Sequence, residues 1–146
     1  MTQPRTRVLF LCTHNSARSQ IAEGLLRAAG GDRFEVLSAG TEATGVRPEA
    51  IAAMAEVGID IAGQESKTVE RYLGQPIDWL ITVCDQAREA CPTLPGVANQ
   101  LHWSIEDPTL VAADGAARMA AFRAARDDLA ARVEAFVTDL ELADRA

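Results

Sequence analysis

The chain has 146 residues, 48% of them apolar and 24% charged, with a formal net charge of −7. That is the size and composition of one globular domain, so residues 1–146 are expected to share a single core. The acidic balance leaves no basic stripe for nucleic acid. No apolar run is long enough to span a bilayer, and the N-terminus lacks the apolar stretch of a signal peptide. The expectation is a cytoplasmic protein with neither nucleic acid nor membrane as partner.

The first element is an apolar strand, Arg7 to Leu11, which runs into the loop Cys12-Thr13-His14-Asn15-Ser16-Ala17-Arg18-Ser19. Behind the loop, Ile21, Ala22, Leu25, Leu26 and Ala29 recur at the period of one buried helix face. A thiol and a guanidinium separated by five residues, between a strand and a helix, can close into a ring whose backbone N–H groups converge on one point. That geometry binds phosphate-like anions, and the same dipoles favour the thiolate, the form of cysteine that attacks. Cys12 is therefore the candidate nucleophile. Thr13, His14, Asn15, Ser16, Ala17 and Arg18 are the candidate oxyanion-binding residues. Ser19 stands at the helix entry, where its hydroxyl can cap free N–H groups or turn toward the thiolate. Asn15 tolerates tight turn conformations and is expected to brace the loop, and His14 is read as an exposed loop residue.

Gly30 and Gly31 stop the helix, and Phe34 to Ser38 reads as a second strand ended by Ala39-Gly40-Thr41. Pro48 opens a second helix with Ile51, Ala52, Met54, Ala55 and Val57 as its apolar positions and Gly58 as its close. One or two helical turns are expected between Val69 and Leu73. Trp79 to Val83 is a third strand, apolar enough to be covered on both faces, and it delivers Cys84 at its carboxyl end. A loop with Pro92, Pro95 and Gly96 precedes a fourth strand at Val97 to Trp103. From Gly115 to Leu142 a closing helix carries Met119, Phe122, Leu129, Val133, Phe136 and Leu140 on one stripe, with Arg123, Arg126, Asp127 and Glu134 on its wet face.

Alternating strands and helices predict an α/β fold: a three-layer, doubly wound sheet of about four parallel strands flanked by helices. Ligands in such sheets sit beyond the carboxyl ends of the strands. Cys12 and Cys84 both fall at such ends. Cys84 and Cys91, the other two of three cysteines, are seven apart, which on a straight helix is about 10 Å of rise and beyond disulfide reach. Three readings stay open for them: structural burial, a zinc site with His14 or His102, although the spacing matches no common finger or ribbon, and relay of oxidising equivalents. His102 beside Trp103 is read as structural. The odd cysteine count suits thiols kept reduced and used chemically.

Taken together, Cys12 to Gln20 with Ala22-Glu23-Gly24, Ser38-Ala39-Gly40, Gly58-Ile59-Asp60-Ile61, Ile81 to Asp85, Cys91-Pro92, Pro95-Gly96, and His102-Trp103 leading to Glu106-Asp107-Pro108 resemble the thioredoxin-coupled arsenate reductases. That family shares the fold and anion loop of the low-molecular-weight protein tyrosine phosphatases. The resemblance covers nearly the whole chain, and the paired cysteines make it specific. A phosphatase of this fold needs only the first cysteine and typically carries Tyr after Asp-Pro, where this chain has Thr109.

The resemblance implies a three-cysteine relay reducing arsenate to arsenite. Cys12 would attack arsenate clamped by Arg18, with Ser19 holding the thiolate and Asp107 as general acid. Cys84 would then attack Cys12, and Cys91 would attack Cys84, presenting an outward disulfide to a reductant. No bound cofactor is implied. Electrons would come from NADPH through thioredoxin reductase and thioredoxin, with glutaredoxin as a possible substitute, and phosphate would bind as an analogue with weak phosphatase activity. Some members hold potassium near Asn15, Glu23 and Ser38, with Asp at the position of Lys67. Here the Lys67 ammonium would supply that cation. Asp107 before Pro108 can also be read as a simple turn starter. The rival functions are phosphomonoester hydrolysis, which needs neither Cys84 nor Cys91, and a non-catalytic anion or redox sensor.

Overall fold

The computed structural model describes residues 5–12, 15, 17–83, 96–110 and 115–145. Thr13, His14, Ser16 and residues 84–95, which include Cys84, Cys91, Pro92 and Pro95, lie outside the described residues.

Four parallel strands, β1 (Thr6–Cys12), β2 (Phe34–Gly40), β3 (Ile77–Thr82) and β4 (Val97–His102), form one sheet in the order β2-β1-β3-β4. It is flanked by the helices α1 (Arg18–Gly30), α2 (Pro48–Ala55) and α3 (Gly115–Arg145). β1 is central, and Val8, Leu9, Phe10 and Leu11 have no exposed surface. Their unbroken apolar run is what a parallel strand covered on both faces requires. β4 closes the edge and is largely exposed over Ala98, Asn99 and Gln100, which is why its polar residues are tolerated. Aromatic rings tie α3 to the sheet: Phe136 meets Trp79 edge-on at 5.4 Å and Trp103 at 6.3 Å between centroids.

Several boundaries differ from the sequence reading. β2 continues past Ser38 to Gly40 because Lys67-Thr68 runs alongside it, the Gly40 N–H donating to the Lys67 carbonyl at 2.9 Å. β3 starts two residues early, at Ile77, which pairs with Val97. α2 ends at Ala55, with Gly58 in the left-handed region at φ 79°. This leaves Val57 beyond the helix and 47% exposed, while Ala50, Ala53 and Met54 form the buried face. Arg126 is not on the wet face of α3. It reaches back to the Ala53 carbonyl and to Glu56 at the end of α2, both at 2.9 Å. The turn before β3 is a single short 3-10 helix, Val69–Tyr72.

The two sheet connections out of β1 diverge between β1 and β3, the point where open α/β sheets place their ligands. Cys12 is the last residue of β1 and stands opposite Gly40 of β2. On its other side Leu11 pairs with Thr82, and the Val83 N–H donates to the Leu11 carbonyl at 2.9 Å.

Candidate active site

α1 starts at Arg18 with Ala17 as its N-cap, and no side chain caps it among the described residues. This end of the helix carries positive partial charge, which favours an anion. Asn15 has φ of 50°, the only described non-glycine residue with positive φ. A short amide side chain accepts this conformation at small cost, and here that side chain is fully buried.

Asn15 organises the ground beneath the thiol. Its Oδ1 accepts from the Lys67 N–H at 2.7 Å and from Gln20 Nε2 at 2.9 Å. Its Nδ2 donates to Ser19 Oγ at 2.8 Å and to Ser38 Oγ at 3.0 Å. Ser19 Oγ lies 2.8 Å from Cys12 Sγ. Because that oxygen already accepts from Asn15, its own proton is free to point at the sulfur. Ser19 thus serves the thiol and not the helix cap. Ser38 in turn donates to Glu23 Oε1 at 2.5 Å.

Glu23 is a buried carboxylate with two cations. Arg27, one turn on, reaches its Oε2 at 2.7 Å, and the Lys67 ammonium stands 3.8 Å from Oε1. Lys67 is itself buried, lies 3.5 Å from Ser38 Oγ and donates to the Glu65 carbonyl. Burial pushes the Lys67 ammonium below the usual lysine range, while Glu23 and then Glu65 pull it back up. Asn15, Glu23, Ser38 and Lys67 therefore do meet, one layer behind Cys12.

On the open side, Arg18 is 8% exposed and donates to the Ile105 carbonyl at 2.9 Å. Its second terminal nitrogen is 3.2 Å from Asp107 Oδ2. Asp107 Oδ1 accepts from both the backbone N–H and the hydroxyl of Thr109, at 2.9 and 2.7 Å. The turn-starting and site-facing readings of Asp107 are thus realised by its two different oxygens. A cavity of about 370 Å³ between Ile105, Asp107, Pro108 and the α3 residues Ala121, Ala125 and Asp128 opens beside it. Away from the loop, His102 Nδ1 is 2.6 Å from Thr82 Oγ1, a cross-strand pair at the ends of β3 and β4.

Some site residues were not among the sequence candidates: Gln20, which holds Asn15; Gln64, which holds Gln20; and Thr109, which holds Asp107. Gln20 is fully buried in the first turn of α1. The signal for it is a first turn reading Arg18-Ser19-Gln20, polar where the rest of the helix shows an apolar face.

A buried thiol at a strand end, a helix N-terminus beside it, a guanidinium and a facing carboxylate are the described parts of a site of phosphatase type. The profile of the family described as low molecular weight phosphotyrosine protein phosphatase matches residues 7–145. An arsenate reductase of Halalkalibacterium halodurans is 42% identical over 129 residues, covering 88% of this chain and 93% of that protein. A solved arsenate reductase in its phosphate-binding state superposes with a TM-score of 0.76 at 34% identity, covering 92% of this chain and 98% of that one. A thioredoxin-dependent arsenate reductase of Corynebacterium glutamicum superposes at 0.73 with 27% identity, over 98% of this chain and 65% of that one. The chain belongs to the low molecular weight phosphotyrosine protein phosphatase family, and to the arsenate reductases within it.

Proposed function

We propose that the protein reduces arsenate to arsenite by a three-cysteine relay and is recharged by thioredoxin. The observation that carries this reading is the register at the carboxyl end of the sheet. Val83, which precedes Cys84, is hydrogen-bonded to Leu11, which precedes Cys12. The chain therefore leaves β3 toward its second cysteine at the same end of the sheet where the first one stands. The relatives at about 40% identity are arsenate reductases, and one structural neighbour is thioredoxin-dependent.

In this mechanism arsenate binds over the α1 N-terminus, and Arg18 exchanges part of its pairing with Asp107 for two substrate oxygens. The Cys12 thiolate, held by the Ser19 proton, attacks arsenic, and an oxygen leaves as water after protonation by Asp107. Cys84 thiolate then attacks Cys12 sulfur. The sulfur–arsenic bond breaks with its electron pair passing to arsenic, arsenite departs, and a Cys12–Cys84 disulfide remains. Attack by Cys91 on Cys84 releases the Cys12 thiolate and leaves Cys84–Cys91, which a dithiol partner reduces. Thioredoxin, itself reduced by thioredoxin reductase and NADPH, has that chemistry, and glutaredoxin is the alternative. Phosphate has the same shape and charge as arsenate, so weak phosphomonoester hydrolysis by Cys12, Arg18 and Asp107 accompanies the main reaction.

Cys84→Ser separates the two activities. Arsenate turnover is expected to vanish while slow ester hydrolysis survives. Arsenate turnover persisting in Cys84→Ser overturns the relay.

A further inference from the structure

We infer that Gln20 is a positioning residue that, together with the Lys67 N–H, holds Asn15 in the orientation from which the hydrogen-bond chain runs to Cys12, and so sets how reactive that thiol is. The inference rests on Cys12 acting as a nucleophile, and not on which oxyanion it attacks.

Donors and acceptors alternate along the chain of side chains that leads to Cys12. Gln64 Nε2 donates to the Gln20 carbonyl at 3.1 Å and to Gln20 Oε1 at 2.7 Å. Gln20 Nε2 donates to the Asn15 carbonyl at 3.1 Å, to Asn15 Oδ1 at 2.9 Å and to the Glu65 carbonyl at 3.0 Å. Asn15 Nδ2 then donates to Ser19 Oγ, whose proton is left for Cys12 Sγ. Every amide in this series touches a backbone group whose role is fixed. Carbonyls face Gln64 Nε2 and Gln20 Nε2, and the Lys67 N–H faces Asn15 Oδ1. None of the three side chains can flip without setting acceptor against acceptor or donor against donor. All the bonds run one way, from Gln64 at the partly exposed end to the buried sulfur, and such chains strengthen each member by polarisation. The consequence is that the Ser19 proton is placed to reach Cys12 Sγ when the sulfur is a thiolate.

A packing role for Gln20 makes a different forecast, because methionine has nearly the same shape and donates nothing. Among the described residues, the charged groups around the site are Arg18 and Asp107 on the open side and Glu23, Arg27 and Lys67 behind Ser38. Gln20→Met and Gln64→Met alter none of them.

The test uses the full chain with Cys84→Ser and Cys91→Ser, so that Cys12 is its one thiol, and measures iodoacetamide alkylation rate and thiolate absorbance across pH. Gln20→Met is expected to keep its circular dichroism and to lose about tenfold in alkylation rate at pH 7, the scale of one lost buried hydrogen bond. Its thiolate midpoint is expected to move up, and Gln64→Met is expected to show the same shifts at smaller size. Unchanged rate and midpoint in folded Gln20→Met overturn the inference. If Gln20→Met does not fold, unchanged values in Gln64→Met do so. A parent in which Cys12 alkylates no faster than free cysteine overturns the nucleophile reading as well, and shows itself before any glutamine variant is compared.

Discussion

Asp107 divides its carboxylate between two neighbours, Thr109 on Oδ1 and Arg18 on Oδ2. In the proposed mechanism Oδ1 stays with its two Thr109 donors, and Oδ2, as Arg18 turns to the substrate, is the oxygen that would deliver the proton. Thr109→Val keeps the backbone donor and removes the hydroxyl. It is expected to lower kcat about three- to tenfold with little change in KM, within the ~1 kcal/mol scale of one hydrogen bond, and Thr109→Ser is expected to restore it. Equal kcat in Thr109→Val and the parent contradicts this. Lys67 belongs to the same scale. With an ammonium beside Glu23 and Ser38, we propose that activity of the parent is indifferent to potassium against sodium and that Lys67→Ala gains a potassium response. A strong potassium requirement in the parent sinks that proposal. Cys12, Arg18, Ser19 and Asn15 could be picked from the sequence because their chemistry is carried by residue type and local spacing. Gln20 and Gln64 were harder to pick: their contacts with Glu65 and with each other span 45 and 44 residues of chain, glutamine has no chemistry of its own to announce a role, and only the polar first turn of α1 pointed to Gln20.

The helices show how far a periodic pattern reaches. α1 and α3 follow their apolar stripes, but α2 is cut short by a left-handed Gly58 and is then clamped to α3 by a charge network that no local pattern contains. Glu56 accepts from Arg123 at 2.8 to 3.0 Å and from Arg126 at 2.9 Å. These hydrogen bonds, Arg123 first, hold its carboxyl at about 2, below the ordinary 4.5. A carboxyl depressed on folding adds stability that is complete above its unfolded value and fades as pH falls from about 4.5 through about 2. Glu56→Gln is therefore expected to melt below the parent at pH 7, modestly because the pair is exposed, with the gap closing toward pH 2. An unchanged gap in thermal melts at the two pH values contradicts the clamp. The strands were more legible, because an uninterrupted run such as Val8 to Leu11 fits only a covered strand. Their ends were not, because β2 is prolonged by a segment, Lys67-Thr68, that reaches it only after the chain has passed through α2.

At the scale of the whole molecule the sheet order β2-β1-β3-β4 does the placing. Making β1 central seats Cys12 between Gly40 and Val83, with Asp107 brought from beyond β4 and the supporting amides from α1 and the segment after α2. The parallel class follows from the alternation of elements, whereas the neighbour relations of β1 depend on which connections cross, something periodicity does not encode. Among the described residues no helix is long and apolar enough to cross a membrane. In the proposed function the anion loop is the entry to an electron relay and not the whole of a phosphatase. Its most direct test is NADPH oxidation by the purified protein with thioredoxin, thioredoxin reductase and arsenate, run beside glutaredoxin, its reductase and glutathione. Arsenate-dependent, multiple-turnover NADPH consumption with thioredoxin is expected, lost in Cys12→Ser, Cys84→Ser and Cys91→Ser alike. Absence of arsenate-dependent consumption in both systems, with phosphomonoester hydrolysis intact, would contradict it.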